Sequence, residues 1–521
     1  MDLINNGYLY VDKTEYIYQL VKIPKGEYFF SRPRRFGKSL TVSTLDALFR
    51  GKKELFRDLY IYDRYDFEEY PVIHIDFSGA DTTSTDTFNE WLMLQLKTIA
   101  REYGVEPEGS TPSIRFSEML RLIYEKSGRG IVILIDEYDN PVTSNIEDAE
   151  KAEELRKIME LFFQQIKTNE RMFRFIFITG ITRLAHLSIF SKLNNLEDIS
   201  RDESYAGMVG YSEDELQNYF AEYIREGAEH SHMTEQELLA KMKYWYDGFC
   251  FCPNGEKVYN PVSIGSFFKK NYAFRNYWFA TATPEMVVQQ AKKQRLTLAD
   301  VENAQYTDDE YMTFDVMMLS QFSLKSELLI QLLFQTGYLT IGERVEGMME
   351  ETWKLVYPNY EVKKSFEVLL ASLYMDTPAV TVNKFVRQMN ESALNGDAET
   401  MVRLLQDAIA SVPYDIHLKH EKYYESLMYL LFRVCGMDVD AEKRTNHGRI
   451  DAVLHSGKYI YIIECKFNKS PETAMEQIED RGYADAYRLE EGKEIIKIGL
   501  SFMTDDENRN LTIDYIEKPW A

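Results

Sequence analysis

Over the first part of the chain, short uninterrupted apolar runs alternate with stretches whose apolar positions recur every three or four residues. The runs are Tyr28–Phe30, PVIHIDFSG at Pro71–Gly79, Ile131–Ile135 within GIVILIDEYDNPV, and FRFIFITG just before ITRLA. Each reads as a strand covered on both faces, as in a parallel sheet. TDTFNEWLMLQLKTIAREYG and KAEELRKIMELFFQQIKT read as amphipathic helices between them, so residues 1–210 are predicted to form an α/β domain. From Tyr211 the pattern turns helical, opening with Ser212 and Glu215 as a capping box. Residues 211–350 carry helices broken by the aromatic, turn-bearing words YWYDGFCFCPNGEKVYNPVSIGSFF and by a strand-like pair around QTGYLTIGE. Residues 351–412 are predicted to be a helical connector, amphipathic throughout from about residue 355. In the last segment, 413–521, AVLHSGKYIYIIECK alternates with period two and predicts two strands joined at Ser456-Gly457.

That hairpin concentrates chemistry. Alternation places Glu464 and Lys466 on one face of the second strand and Cys465 on the other, with Asp451 on the first strand. Two carboxylates can hold one Mg2+ through oxygen, and a neighbouring ammonium can orient a water or steady a phosphate in transition. Asp451…Glu464-Cys465-Lys466 resembles the D…(D/E)xK signature of the PD-(D/E)XK nuclease superfamily. The flanking words GRIDAVL, YIYIIECK and QIEDRGYADAY resemble the nuclease-like domain that follows a predicted AAA-type ATPase domain in many bacterial proteins. This resemblance spans essentially the whole chain. It implies that Asp451 and Glu464 bind metal and that Lys466 assists the water. It also implies a further acidic group from the helix-like KHEKYYESLMYLLFRV, where Glu421 and Glu425 share a face and Glu421 is the first choice. Gln477 lies on the following amphipathic stretch. Its spacing to Tyr483 departs from the commoner Q-x-x-x-Y, which leaves its role open.

A second site is predicted near the other end. In YFFSRPRRFGKSLTVSTLDALF, Gly37-Lys38-Ser39 fits the last three positions of the phosphate-binding pattern GxxxxGK(S/T), while Arg32 occupies the place of its first glycine. Backbone N–H groups at the start of the following helix would cradle phosphate, Lys38 would neutralise it, and Ser39 would reach Mg2+. Asp136-Glu137 ends the buried run Ile131–Ile135, with Asp136 expected in the Mg2+ shell and Glu137 polarising water. Thr179, Thr182 and Arg183 are placed where a γ-phosphate sensor would sit. SRPRRFGKS is similar to the arginine-rich loops of the predicted-ATPase family, which implies that Arg34, Arg35 and Phe36 also line an ATP site. Asn260-Pro261 resembles the lid element that lies against adenine in related ATPases; the alternative is a plain turn with Pro at a helix start.

The fold expected is therefore α/β: a P-loop NTPase domain with a parallel sheet, a helical lid and connector, and a C-terminal PD-(D/E)XK nuclease-like domain. ATP and Mg2+ are the cofactors implied, DNA is the nucleic acid expected, and an oligomer is left open. The chain has 521 residues, 45% hydrophobic and 28% charged, ordinary values for a globular protein of several cores. No apolar run reaches membrane-spanning length and MDLINNGYLY lacks secretory character, which predicts a cytoplasmic protein without membrane association. Cys250, Cys252, Cys435 and Cys465 show no zinc spacing, and reduced thiols are expected. The net charge of −24 argues against a general coating of nucleic acid. A DNA-cutting protein with this charge needs a local basic groove, for which Lys443, Arg444, Arg449, Lys466 and Lys469 are the candidates. The competing expectation is an ATP-dependent switch whose nuclease-like domain only binds nucleic acid or a protein partner.

Overall fold

The computed structural model describes residues 6–183, 195–279, 287–288, 290–291, 296, 298–307, 310, 326–410, 421–445, 448–487, 490, 492–505 and 510–519. Among these, the side chains of residues 326–327, 410, 421–426, 438–445, 448–450, 486, 504–505 and 510–511 fall outside the description. The chain divides into two units, Met1–Leu296 with Asp300–Lys363, and Thr297–Ala299 with Lys364–Ala521.

The first unit is built on a parallel sheet of β1 (Gly26–Ser31), β2 (Val72–Asp76), β3 (Ile131–Asp136), β4 (Phe173–Gly180) and β5 (Glu197–Asp198), in the order β2-β3-β4-β1-β5. Every residue of β1 and β3 is buried, which is why those segments read as continuous apolar runs rather than alternating ones. Helices Lys38–Phe49, Thr85–Glu102, Pro112–Ser127 and Ala149–Thr168 cover the faces. Their starts follow local chemistry: Ser84 and Thr87 form a capping box, and Thr111 caps a helix whose first residue is Pro112. The carboxyl ends of β1, β3 and β4 lie side by side, so the residues that follow each strand meet at one edge of the sheet.

Beyond the sheet, Ser212 and Glu215 form the expected capping box at the start of Glu213–Tyr219. The aromatic words that follow are core. Tyr246, Phe249 and Phe251 are buried, whereas Tyr244 is exposed and stacks on Tyr360 at 5.1 Å. QTGYLTIGE contributes one strand, β7 (Thr340–Arg344), not a pair. Its partner β8 (Thr352–Val356) comes later in the chain, and β6 (Gln305–Thr307) completes an antiparallel β6-β8-β7 sheet. The continuous helix expected from about 355 is three helices, Tyr360–Tyr374, Ala379–Asn395 and Ala398–Ala410, interrupted at Pro378 and Gly396.

The second unit contains a mixed sheet, β13-β12-β11-β10-β9, from β9 (Asp438–Thr445), β10 (Gly448–Ser456), β11 (Tyr459–Phe467), β12 (Glu494–Asp505) and β13 (Asn510–Pro519). β11 and β12 are parallel, and the other pairings are antiparallel. The predicted hairpin is β10–β11, with its turn one residue later than expected: Ser456 pairs with Tyr459, and Gly457-Lys458 makes the bend. Gly457 takes φ +55°, a conformation that its lack of a Cβ permits at the first position of a two-residue hairpin turn. Ile460 and Ile462 on one face of β11 pack with Met475 and Ile478 of helix Pro471–Asp480. On the other face Cys465 Sγ lies 3.7 Å from Met428 Sδ of helix Glu421–Val434. Gly499 of β12 pairs with Glu464, and a Cβ there would stand 2.6 Å from the Pro471 carbonyl oxygen. The helix therefore lies directly on the sheet beside Glu464. The four cysteines are buried free thiols. Among the described residues no helix is long and apolar enough to cross a membrane.

Candidate functional site

In the first unit, the loop after β1 is pinned before it can serve any ligand. Arg32, 2% exposed, lays its guanidinium over the rings of Phe30 (4.4 Å) and Phe251 (4.5 Å) and donates to the Ser31 carbonyl at 2.9 Å. The residue standing where the pattern has a glycine is thus part of the scaffold. Trp278 Nε1 donates to the Arg34 carbonyl (3.0 Å), Asn260 Nδ2 to that of Arg35 (3.4 Å) and the Gly210 amide to that of Phe36 (3.2 Å). Phe36 is buried edge-on against Phe249 (4.8 Å) and Phe251 (5.2 Å). Arg35 and Gly37 take φ of +69° and +109°, and Gly37 precedes helix Lys38–Phe49, whose first turn has no capping side chain. Its leading N–H groups are available to an anion.

Lys38 is 5% exposed, and its Nζ donates to the carbonyls of Arg32 (2.9 Å) and Pro33 (3.0 Å). Burial lowers its pKa, while Glu137, Asp136 and Asp139 act in the opposite sense. Asp136 ends β3, buried. Burial raises its pKa, and the hydrogen bond with the Ser39 side chain is the largest opposing effect. Glu137 has φ +49°, rare for a residue with a side chain, and its carboxyl is also pushed up by burial and pulled down first by Lys38. Lys38, Ser39, Asp136 and Glu137 are therefore brought together.

Asp139, which the sequence reading passed over, is the hub of the adjoining strand end. It is fully buried, and its carboxylate accepts from the Thr182 amide (2.6 Å), the Thr182 hydroxyl (2.7 Å) and the Ile181 amide (3.2 Å). The signal was the second aspartate of DEYD. The Thr179 hydroxyl is buried with no hydrogen-bond partner among the described residues. Arg183 sits at the end of β4, but its Nε lies 3.4 Å from Asp198 Oδ2 and its amide donates to Gln335. A phosphate would have to win it from that carboxylate.

Beside the loop is a cavity of about 170 Å3, with Tyr10, Phe36, Gly37, Thr41, Tyr211 and Pro261 among its walls. Pro261 is the first residue of helix Pro261–Lys269, whose cap Asn260 accepts from the amides of Val262 (2.9 Å) and Ser263 (3.2 Å). Tyr10 has no motif around it, and Tyr211 reads only as the boundary before the Ser212 capping box, so the sequence leads neither to be expected at a cavity.

In the second unit, Ala452 pairs with Ile463, and at the next step Asp451 Oδ2 accepts from the Cys465 amide at 2.8 Å. Glu464 is 1% exposed. Its Oε1 accepts from Lys466 Nζ (2.8 Å) and from Gln477 Nε2, while its Oε2 is buried without a hydrogen-bond partner among the described residues. Burial first, and then the charge of Asp451, push the Glu464 carboxyl up to about 7, against the pull of Lys466. Gln477, whose role the sequence left open, is therefore part of the cluster, and it also donates to the Tyr483 hydroxyl at 3.4 Å. Arg481 Nη1 donates to the same hydroxyl at 3.0 Å. The side chains of Glu421 and Glu425, and those of the groove candidates Lys443, Arg444 and Arg449, lie outside the described residues. Lys469 is exposed next to the strand end.

A parallel α/β sheet bearing a phosphate loop with an acidic strand, and a separate mixed sheet bearing Asp, Glu and Lys on a hairpin, define a protein with an ATPase-like and a nuclease-like domain. Residues 1–190 match the family described as Predicted AAA-ATPase, and residues 419–511 match the PD-(D/E)XK nuclease superfamily. The chain is also 34% identical over 512 residues to an uncharacterized protein in vnfD 5'region from Azotobacter chroococcum mcd 1, covering 96% of this chain and 94% of that one. It belongs to this family of AAA-ATPase-like proteins with a C-terminal PD-(D/E)XK domain.

Proposed function

We propose that this protein is a nucleotide-controlled, metal-dependent DNA nuclease. The observation that carries the reading is Glu464: a buried carboxylate with one oxygen held by Lys466 and Gln477, the other without a partner among the described residues, and Asp451 close enough to raise its pKa. An uncompensated buried carboxylate oxygen is costly unless a cation completes it. Asp451 and Glu464 would hold Mg2+, which when bound supplies Lewis-acid stabilisation of phosphate and a more acidic water. Among the described residues no three ligating side chains converge, so carbonyl and water oxygens would fill the remaining positions. Lys466 keeps a proton donor at the mouth of the pair, and Gln477 fixes the Glu464 carboxylate against rotation.

In the first unit the fit to ATP rests on the buried Lys38, the uncapped helix start and the cavity beside them. Lys38 would exchange loop carbonyls for phosphate oxygens, Ser39 and Asp136 would hold Mg2+, and Glu137 would accept a proton from water. Pro261, Phe36 and Tyr10 would enclose the base.

The test is cleavage of single- and double-stranded DNA and RNA by the purified protein in Mg2+ or Mn2+, with and without ATP. Asp451→Ala is expected to abolish cleavage in a protein that still folds, its melting temperature lowered by no more than the loss of one acceptor for the Cys465 amide, and cleavage that survives this substitution removes the assignment. The net charge of −24 favours a second reading, in which the C-terminal unit binds DNA or a protein under ATP control without cutting it. Metal-dependent binding with no product in any metal would select that reading.

A further inference from the structure

We propose that Arg481 is the phosphate-positioning residue of the C-terminal site, donating its guanidinium to a backbone phosphate of the nucleic acid beside Asp451 and Glu464. The inference deepens the nuclease reading and rests on it for the identity of the ligand. Arg481 follows directly after helix Pro471–Asp480 and closes it, its amide donating to the Gln477 carbonyl at 3.2 Å. The same turn of chain therefore sets both Gln477, which grips Glu464, and Arg481. Nη1 donates to the Tyr483 hydroxyl at 3.0 Å, and that hydroxyl also receives Gln477 Nε2 at 3.4 Å. Tyr483 is fully buried in the core that carries β11, so the guanidinium is anchored to a rigid point. The rest of the Arg481 side chain is exposed.

Its surroundings distinguish it from the many arginines spent on ion pairs. No carboxylate lies within salt-bridge distance of Arg481 among the described residues, although the charges of Glu464 and Asp451 both reach it and raise its pKa after the larger effect of Tyr483. In contrast, the neighbouring Glu479 binds Lys497 (3.3 Å) and Lys518 (3.0 Å), which leaves Arg481 its donors. A planar cation with one N–H held by Tyr483 and no further partner among the described residues, linked through Tyr483 and Gln477 to Glu464, matches a phosphate diester whose scissile bond must sit over the Asp451–Glu464 pair. Lys466 Nζ donates to Glu464 Oε1 (2.8 Å) and to the Cys465 carbonyl (3.0 Å), which holds it at the carboxylates, so the phosphate gains from a second cation.

The test compares wild type, Arg481→Ala, Arg481→Lys and Asp451→Ala, all first checked for a cooperative unfolding transition above the assay temperature. Binding of fluorescein-labelled single-stranded and duplex oligonucleotides is read by anisotropy over a series of salt concentrations, with Ca2+ in place of Mg2+. Cleavage is read separately in Mg2+ and Mn2+. Arg481→Ala is expected to weaken binding on the order of tenfold and to lower the slope of log K against log salt by about 1. Arg481→Lys should recover the slope but not the full affinity, since the ammonium lacks the fork. Unchanged affinity and slope in Arg481→Ala overturn the proposal even where Asp451→Ala abolishes cleavage. Cleavage surviving Asp451→Ala overturns the nuclease reading, with the binding slopes still judging Arg481. A wild type that binds no strand overturns both.

Discussion

At the level of single residues, the two sites use buried charge in opposite ways. Lys38 is a buried cation whose nearest acceptors are carbonyls of its own loop, with three acidic neighbours offsetting its desolvation. Such a group gains from a multiply charged anion far more than an exposed lysine would. Mg-ATP is therefore expected to raise the melting temperature of the wild type, by an amount equivalent to about 2.7 kcal/mol at a hundredfold excess over the dissociation constant. Lys38→Ala should lose that stabilisation, and a variant still stabilised by ATP would show that the ligand binds elsewhere. Asp139 makes a different prediction. It accepts from three groups on Ile181 and Thr182, so Asp139→Ala leaves buried donors unmet and should cost roughly 2–4 kcal/mol in urea unfolding. Asp139→Asn keeps part of the set and should lose less. Equal stability of all three proteins would remove Asp139 from its role as a clamp. These residues differ in legibility for a physical reason. Lys38 and Asp136 follow from local spacing, because a phosphate loop and an acidic strand end are contiguous words. Asp139 acts on residues forty positions away through strand β4, and the partners appear only once the sheet is built.

At the level of elements, β1 to β4, β7 and the hairpin β10–β11 were readable, whereas β5, β6, β9, β12 and β13 were not, and β8 falls at the start of the segment expected to be helical. Continuous apolar runs announce buried strands, and Ile131–Asp136 forms one. The antiparallel pairing of QTGYLTIGE with Thr352–Val356 depends on chain geometry that no period encodes. Gln477 shows the same limit. Its spacing to Tyr483 suits no familiar motif, yet the close seat of that helix on Gly499 brings Gln477 to Glu464, with the Tyr483 hydroxyl behind it. Gly499→Ala is expected to push helix Pro471–Asp480 outward, costing about 1–3 kcal/mol and slowing any cleavage through Gln477. Denaturation with unchanged midpoint would refute that close packing. A third element-scale device is Glu361, buried at the start of helix Tyr360–Tyr374, which accepts from Ser263 Oγ (2.7 Å) and the Trp278 amide (2.6 Å). It ties the helix that lines the cavity to the tryptophan that holds the phosphate loop. Burial pushes its carboxyl up to about 7. Between the usual carboxylate range and that value the folded protein keeps a proton that the unfolded chain has released, so its contribution to stability falls as pH rises through this window. Wild type should lose roughly 1–3 kcal/mol relative to Glu361→Gln between pH 5 and pH 8, since the amide cannot ionise. Parallel pH profiles for the two proteins would remove the effect.

At the level of the whole molecule, the question is whether the ATPase-like domain governs the nuclease-like one. A nucleotide can shift the second site only by the difference in its affinity for two states of the protein, and the same factor must appear in reverse. Wild-type cleavage should therefore change when ATP is added, within the range of about 5- to 150-fold that such couplings span, and DNA should change ATP affinity by an equal factor. Lys38→Ala should erase the response to ATP and keep the ATP-free rate. Asp451→Ala should abolish cleavage and keep stabilisation by ATP. The acidic balance of −24 sharpens this expectation, because long-range attraction cannot deliver DNA to the site. Local cations such as Lys466 and Arg481 must then hold it there. Rates that are identical with and without ATP, in a protein that ATP demonstrably stabilises, would mean that the two domains share a chain and act independently.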